Sequence, residues 1–330
     1  MSELKARFTI VIPVKEINDY VRETVLYIQA LDSRNWELII VPNNDDLNEW
    51  KDDFRISLVP SGRVGPADKR DQAAKIASGS ILVFLDDDSY PKSDLLSIAE
   101  KYFDDKSISA IGGPAVTPDS DSYWQKVSGA VFLSKLTGGN PERYISLGST
   151  KEIDDWPAVN FMVRKTDFLE VGGFNSPFWP GEDTYFCLKL FKNTKRIVYA
   201  PDLIVWHHRR SGILHHSKQV GAYGLHRGYF ARRFPDTSFK VKYFIPSGLC
   251  GLILLSLISP ILSELFRNIV IIGWAIYLFS IALGCFFLAK LASAKIAIGA
   301  VPFVIVTHLS YGFNFIRGFT RIRPLVSKLR

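Results

Sequence analysis

The chain has 330 residues and a formal net charge of +7, with 40 Lys and Arg against 33 Asp and Glu. A chain of this length holds one large domain with an appendage, or two modest domains. Its three cysteines, Cys187, Cys250 and Cys285, lack the spacing of a metal site or a disulfide framework, which favours a reducing compartment. The apolar run at 8–14 is too short for a secretory signal peptide, so we expect none.

The N-terminal part of the chain alternates short apolar runs with helix-like stretches. Apolar runs at 8–14, 37–42 and 81–85 predict strands, and the stretches 19–30 and 67–77 predict helices between them. This alternation is typical of a doubly wound, mostly parallel α/β sheet. Such sheets bind their ligands at the carboxyl ends of the strands.

Three consecutive carboxylates, Asp86, Asp87 and Asp88, directly follow the apolar run 81–85. Adjacent carboxylates repel one another unless a cation lies among them. Mg²⁺ and Mn²⁺ take oxygen ligands and often share substrate phosphates. The pattern therefore predicts a site for a divalent cation and a diphosphate, and a solvated acidic turn before Pro91 is the alternative interpretation.

A second acidic pair occurs in a loop rich in glycine, proline and aromatic residues. Glu182 and Asp183 follow Gly181 and begin a stretch that predicts an amphipathic helix. Acidic residues in the first turn of a helix favour its dipole, so helix capping is one interpretation. The other is that the loop, which includes Trp179, presents a general base to an acceptor hydroxyl.

Residues 209–242 form a basic segment, with eight Lys and Arg against a single acid, Asp236, and aromatic residues between the cations. Basic and aromatic residues just before apolar segments are typical of a helix on an anionic leaflet. Nucleic-acid binding is the competing use of such a patch. The neighbouring apolar block favours anionic membrane lipid as the partner, and we expect no nucleic acid.

Three segments of 21 residues, at 243–263, 269–289 and 296–316, contain no Asp, Glu, Lys or Arg. Each is long enough to cross a bilayer core as a helix. Buried core helices are the alternative, which three such segments in succession disfavour. The third segment carries polar residues such as His308 and Asn314, so we expect it to be re-entrant or to lie against the N-terminal domain.

The basic residues around these segments predict an orientation in the cell membrane. With the N-terminal domain in the cytosol, the first segment exits and the second returns Lys290 and Lys295 to the cytosolic side. A third crossing would carry a basic tail outside, which the same rule disfavours. We therefore expect a multi-pass protein with a cytosolic tail, whose cations are Arg317, Arg321, Arg323, Lys328 and Arg330.

Residues 8–208 resemble the family 2 glycosyltransferases of the GT-A fold. The matching motifs are Ile-Pro-Val at 12–14, the stretch 65–73 with Arg70 at the motif arginine, Asp-Asp-Asp at 86–88, Gly-Gly-Phe at 172–174 and Gly-Glu-Asp at 181–183. The Gln-x-x-Arg-Trp motif of processive synthases is absent from the sequence. The chain is therefore most similar to the membrane-attached, non-processive branch that builds surface glycans.

The resemblance implies a role for each matching residue. Asp183 would be the catalytic base and Glu182 would support the acceptor hydroxyl. Asp88 and His207 would bind a divalent cation, Mn²⁺ or Mg²⁺; His208 is the alternative histidine, and an interfacial or packing histidine pair is the other interpretation. The residues implied to bind a nucleotide-sugar donor, UDP- or GDP-linked, are Pro13, Val14, Glu16, Asn43, Asn44, Lys69, Arg70, Asp86 and Asp87. Trp179 and Asn160 are expected to bind the acceptor. Arg209 and Arg210 directly follow the two histidines, and the fork of a guanidinium suits phosphate, so either could bind the donor diphosphate or the lipid phosphate. Leaflet attraction is an equal explanation for the two arginines.

Two departures from the family pattern affect the donor site. Asn43, Asn44, Asp45 and Asp46 stand where the family has the acidic turn that reads the base. Lys69 and Asp71 replace the usual Ala and Asn beside the motif arginine.

The resemblance implies an inverting, metal-dependent transfer of a sugar. The three apolar segments favour, as its acceptor, a hydroxyl or phosphate of a membrane-associated, polyprenyl-linked glycan at the cytosolic leaflet. We expect a catalytic domain at 1–208, a basic interfacial segment at 209–242 and a transmembrane block at 243–330. One alternative is a sugar-1-phosphate nucleotidyltransferase, but residues 13–16 lack the glycine-rich phosphate loop of that class. The other is a non-catalytic membrane scaffold or transport component.

Overall fold

The computed structural model of the protein describes residues 6–44 and 49–325, which form two compact units. The first unit comprises the residues up to 118 and Ile145–His208, and the second comprises Asp119–Tyr144 and Arg209–Leu325. The expected boundaries at 208 and 242 stay predictions. One stretch differs from them, because Asp119–Tyr144 was expected within the N-terminal domain and belongs to the second unit.

The first unit is built on two β-sheets. The strands among the described residues are β1 (Phe8–Pro13), β2 (Trp36–Val41), β3 (Ile56–Leu58), β4 (Ile81–Leu85), β5 (Ser89–Pro91), β6 (Ile108–Gly112), β7 (Ala115–Val116), β8 (Lys151–Glu152), β9 (Asn160–Arg164), β10 (Arg196–Tyr199) and β11 (Val205–His207). The larger sheet has the order β3-β2-β1-β4-β9-β6-β10-β8, and the smaller sheet has the order β5-β11-β7.

The centre of the larger sheet is parallel, as the sequence predicts. Strand β1 pairs in parallel with both β2 and β4, and β2 pairs in parallel with β3. Strand β9 is antiparallel to its neighbours β4 and β6. All residues of β1 and β4 are buried, because helices cover both faces of the sheet.

The helices occur in both units. In chain order they are α1 (Asp19–Gln29), α2 (Pro66–Ile76), α3 (Leu95–Phe103), α4 (Tyr123–Ala130), α5 (Lys165–Glu170), α6 (Glu182–Lys192), α7 (Ile213–Arg233), α8 (Pro235–Ser238), α9 (Val241–Ile258), α10 (Glu264–Leu291) and α11 (Ala294–Phe319). Helix α1 begins at Asn18, whose side chain accepts a hydrogen bond from the Val21 N–H, and buries Val21, Val25 and Ile28.

The second unit is helical and contains the apolar block. By length and composition α9 with its 3₁₀ extension to Ile261, α10 and α11 could each cross a membrane. Helix α4 belongs to this unit because Val127 and Ala130 pack in one cluster with Ala297 and Phe303 of α11. Helix α11 runs unbroken through its length. It therefore does not have the reversal of a re-entrant segment, which the sequence left open.

Candidate active site

The acidic triplet follows β4 at the middle of the larger sheet. Asp86, Asp87 and Asp88 connect β4 to β5, and β11 pairs with β5 in an antiparallel register that sets His207 opposite Ser89. This register brings the imidazole Nε2 of His207 to 3.0 Å from Oδ1 of Asp88. Residues far apart in the chain thus meet at the carboxyl end of β4, where parallel sheets bind ligands.

Asp86, Asp88 and His207 form a group that could hold a metal ion. Each offers one ligand atom, and these atoms all lie within 4.8 Å of one another. Asp88 is buried, whereas Asp86 and His207 are partly exposed. Two carboxylates and one imidazole on a partly open surface suit a divalent cation that also has positions for substrate oxygens. We name these three residues the metal trio.

The neighbouring His208 belongs to a different environment. Its Nε2 lies 2.8 Å from Oε2 of Glu23 on α1, and its ring packs against Tyr20 and Tyr90. Consecutive residues of an extended chain point to opposite sides. Of the two histidines that the sequence left open, it is therefore His207 that faces the acidic triplet.

Arg70 on α2 links the metal trio to the acidic pair of α6. Its Nη2 lies 2.6 Å from Oδ1 of Asp86, and its Nη1 lies 3.2 Å from Oε1 of Glu182. The guanidinium also lies over the ring of Phe174, 5.5 Å from the centroid. Only 3% of the Arg70 side chain is exposed, so its charge acts in a water-poor environment where such pairs are strong.

Glu182 and Asp183 occupy different environments at the start of α6. Glu182 is buried, and this burial, together with the charge of Asp183, raises the pKa of its carboxyl, while Arg70 opposes the shift. Asp183 is half-buried, and its Oδ1 accepts a hydrogen bond of 2.7 Å from the Thr184 N–H. Asp183 is thus the more accessible acid of the pair.

The loop before α6 is held by a residue whose role the sequence did not reveal. Asp71 on α2 accepts 2.7 Å hydrogen bonds from the N–H groups of Phe174 and Asn175. Gly173 has a φ of +62°, and a Cβ there would lie 2.5 Å from Oδ1 of Asp71. In the sequence, Asp71 differs from the residue usual in the family, but nothing there predicts that it binds this loop.

Lys69 joins several residues that were predicted to bind the donor. Its ammonium donates hydrogen bonds to the carbonyls of Val14 and Val41 and to Oδ1 of Asn43, the last at 2.6 Å. Burial lowers the pKa of Lys69 to about 8, and the charge of Asp87 opposes this shift. Lys69 thus ties the carboxyl ends of β1 and β2 together.

The other residues predicted to bind the donor differ in their exposure. Pro13 is the buried end of β1, while Glu16 and Asn44 are exposed. Asp45 and Asp46, which the sequence analysis placed in the base-reading turn, lie outside the described residues.

The predicted acceptor residues are not alike in position. Trp179 is exposed on the loop before α6. Asn160 is 0% exposed, and its amide donates hydrogen bonds to the carbonyls of Pro114 and Leu203. This side chain therefore binds the backbone after β6 and before β11 and has no accessible surface. For this reason we do not retain Asn160 as an acceptor contact.

Arg209 and Arg210 belong to the helical unit. The N–H of Arg209 donates a 3.0 Å hydrogen bond to Oδ2 of Asp121, and its guanidinium lies 5.0 Å from the ring centroid of Tyr144. Arg210 is exposed.

The comparisons with known proteins concern the family and the fold of the chain. Residues 9–168 match the family described as glycosyl transferase family 2. The match covers just under half of the chain, so residues 9–168 form a domain similar to this family. The comparisons support a glycosyltransferase that uses nucleotide-sugar donors.

Individual relatives are distant. A dolichyl N-acetyl-α-D-glucosaminyl phosphate 3-β-D-2,3-diacetamido-2,3-dideoxy-β-D-glucuronosyltransferase of Methanococcus voltae is 21% identical over 252 residues, which cover 73% of this chain and 72% of that protein. The mannosyltransferase PcManGT from Pyrobaculum calidifontis, solved with GDP-Man and Mn²⁺, has a TM-score of 0.61 at 17% identity, covering 90% of this chain and 86% of that one. TarS 1–349 of S. aureus, solved with UDP-GlcNAc, has a TM-score of 0.45 at 16% identity and covers 67% and 66%. The likeness to the mannosyltransferase confirms the predicted GT-A fold.

Proposed function

We propose that this glycosyltransferase moves a sugar, with inversion, from a nucleoside diphosphate to a polyprenyl-linked acceptor at the cytosolic leaflet. The observation that carries the proposal is the connection of the metal trio, through Arg70, to the acidic pair of α6. Through this connection a candidate diphosphate site lies near a candidate base. A displacement at the anomeric carbon requires both, because the diphosphate leaves while the base takes the proton of the acceptor.

The metal trio fits a divalent cation by its chemistry. Asp86, Asp88 and His207 would hold the ion, which when bound supplies Lewis-acid stabilisation of the leaving diphosphate. An imidazole ligand favours Mn²⁺ over the harder Mg²⁺, so we expect higher activity with Mn²⁺. Arg70 holds Asp86 in position for this role through its 2.6 Å ion pair.

Asp183 is the base in this proposal. It is the more accessible carboxylate of the pair, and Glu182 is engaged by Arg70. Asp183 takes the proton of the acceptor hydroxyl as its oxygen attacks the anomeric carbon opposite the diphosphate. A single displacement of this kind inverts the configuration, and the exposed Trp179 offers an apolar surface for the acceptor sugar.

A lipid-linked acceptor is supported by the apolar block and by the printed name of the Methanococcus relative, which specifies a dolichyl phosphate-linked sugar. A polyprenyl chain stays in the bilayer while its polar head reaches a membrane-attached enzyme. Arg209 and Arg210 are proposed to bind the phosphate, because a guanidinium pairs with it in a fork geometry.

The experiment is a transfer assay with the full chain in vesicles, using UDP- and GDP-sugars and a polyprenyl-phosphate-linked sugar. We expect release of the nucleoside diphosphate together with a glycosylated lipid of inverted configuration. Transfer to a soluble sugar at the same rate would contradict the acceptor class. Retention of configuration would contradict the assignment of Asp183 as the only base.

A further inference from the structure

We propose that the protein crosses the bilayer only twice, through α9 and α10, and that α11 lies with α7 in the headgroup region on the side of the catalytic domain. The proposal rests on the membrane attachment stated above, but it does not depend on the chemistry of the active site. The partner of the surface formed by α7 and α11 is then the lipid leaflet.

Helices α9 and α10 form an antiparallel hairpin. They are joined by residues 259–263, and Trp274 Nε1 of α10 donates a 2.8 Å hydrogen bond to Ser256 Oγ of α9. One helical turn before Ser256 on α9, Leu252 would lie 2.8 Å from a Cβ on Gly273 of α10. The short connection and these contacts thus join the second half of α9 to the first half of α10.

Helices α10 and α11 are also antiparallel. They follow one another through residues 292–293, and the hydroxyl of Tyr277 lies 3.2 Å from Nδ1 of His308. Between these points Ile281 and Leu288 share one apolar cluster with α11. Contact thus runs from the carboxyl end of α10 to the middle of α11.

The third pair, α9 and α11, is antiparallel as well. Ser247 Oγ donates a 3.2 Å hydrogen bond to the Gly312 carbonyl. Closer to the start of α9, Phe244 packs 4.7 Å from the ring of Phe315. Contact therefore joins the beginning of α9 to the second half of α11.

These three relations exclude a simple three-helix bundle. In a bundle with one common axis, two helices that are both antiparallel to a third are parallel to each other. Here every pair is antiparallel, so the helices form the sides of a triangle. Helices α9 and α10 meet at 259–263, and α11 joins their other ends. If the hairpin crosses the bilayer with ordinary tilts, α11 lies across its base along the membrane surface.

The burial of the three helices supports this arrangement. Within their most apolar windows 6% of α9 and 17% of α10 are buried, against 39% of α11. The exposed side chains Ile298, Ile305 and Ile316 are spaced so that they share one face of α11. Helices in the plane of a membrane have one such lipid-facing stripe, whereas helices that span it as a hairpin contact lipid over most of their circumference.

Helix α7 fixes the depth of α11. The two helices lie side by side and parallel: Nε2 of His216 lies 2.7 Å from Oγ1 of Thr307, and Arg232 contacts the Thr320 carbonyl at 3.4 Å. Between these points a Cβ on Gly228 would overlap the carbonyl of Phe315, so the two backbones touch.

Helix α7 carries cations that do not suit a bilayer core. Lys218, Arg227 and Arg232 are distributed along its length, and charged side chains at the bilayer centre are costly. Helix α7 also follows the catalytic unit with no apolar segment between them. A helix bound along α7 therefore lies in the headgroups on the catalytic side.

The test is the labelling of single cysteines in the full chain, after replacement of Cys187, Cys250 and Cys285 by alanine. An impermeant maleimide is applied to intact cells and to inverted vesicles. Arg321→Cys, just beyond α11, should react on the same side as Lys106→Cys in the catalytic unit. Ile261→Cys, in the turn of the hairpin, should react on the opposite side. Reaction of Arg321→Cys on the side of Ile261→Cys would overturn the proposal.

A second measurement determines depth directly. Spin labels at Ile298, Ile305 and Ile316 of the protein in nanodiscs should report equal depths, because these positions share one face of an in-plane helix. On a spanning helix Ile298 and Ile316 would differ by about 27 Å along the axis, and such a gradient would overturn the proposal. Neither result depends on activity, so failure of the proposed acceptor would leave both unchanged.

Discussion

Arg70 is the residue on which the candidate site depends most. It pairs with carboxylates from two elements, Asp86 after β4 and Glu182 at the start of α6. Removing one partner of a buried ion pair leaves a charge without compensation, which is far more costly than the net value of the pair.

We expect Arg70→Ala to destabilise the protein by about 3 kcal/mol, because Glu182 would remain buried without its cation. The measurement is thermal unfolding of the solubilised full chain. Arg70→Lys is the matched variant: it keeps the charge but cannot reach both carboxylates with a planar fork. Arg70→Lys should retain most of the stability and still lose turnover. Unchanged unfolding in Arg70→Ala would show that the ion pairs contribute nothing.

Asp183 provides a second test at this scale. Asp183→Asn should lower turnover by roughly 10²–10⁴-fold, the usual contribution of a general base, while donor binding stays near normal. Turnover and donor affinity are measured on the same preparation. If the variant unfolds, or loses donor affinity at normal turnover, the carboxylate serves to cap α6 and the proposed base is wrong.

At the scale of elements, the sequence predicted the central strands and helices closely. The stretches 19–30 and 67–77 correspond to α1 and α2, because apolar periodicity reflects which face of a helix is buried. The acidic triplet was predicted at the end of β4 because the uninterrupted apolar run 81–85 is typical of a strand that is buried on both faces.

The position of the histidine could not be predicted. His207 and His208 are adjacent, and only the register of β11 against β5 decides which ring faces Asp88. A shift by one residue would exchange the two faces of the strand. The burial of Asn160 could not be predicted either, because the antiparallel insertion of β9 between β4 and β6 leaves no signal in composition.

The contact of α7 with α11 makes a prediction about glycine. Gly228→Ala should destabilise the protein by about 1–3 kcal/mol, because the new methyl group meets the Phe315 carbonyl and the backbones must separate. Gly251→Ala in α9 is the matched control, since a Cβ there has no atom within 4 Å. The control should be neutral or stabilising by up to about 1 kcal/mol. Equal thermal stability of the two variants would contradict the close contact.

For the whole molecule, the cations of 209–242 predict a preference for anionic lipid. The reconstituted full chain should be more active in anionic than in neutral vesicles, because each basic residue near an anionic surface contributes about 1 kcal/mol of attraction. The difference in activity should fall as salt rises, because salt screens this attraction. The full chain is required because α11 covers the glycine face of α7, which truncation at Lys242 would expose. Combined replacement of Lys218, Arg232 and Arg233 by Gln should reduce the preference, and replacement of Lys101 and Lys106 should not. Equal activity in both lipids would contradict the electrostatic account.

The central claim is that the metal trio holds a divalent cation that binds the diphosphate of the donor. Calorimetric titration of UDP and GDP into the full chain, with and without Mn²⁺, tests it most directly. We predict that binding requires the cation, is lost in Asp88→Ala and is weakened in His207→Ala. His208→Ala should leave it unchanged, because that ring faces Glu23. Full affinity in excess chelator, or equal losses in the two histidine variants, would contradict the account.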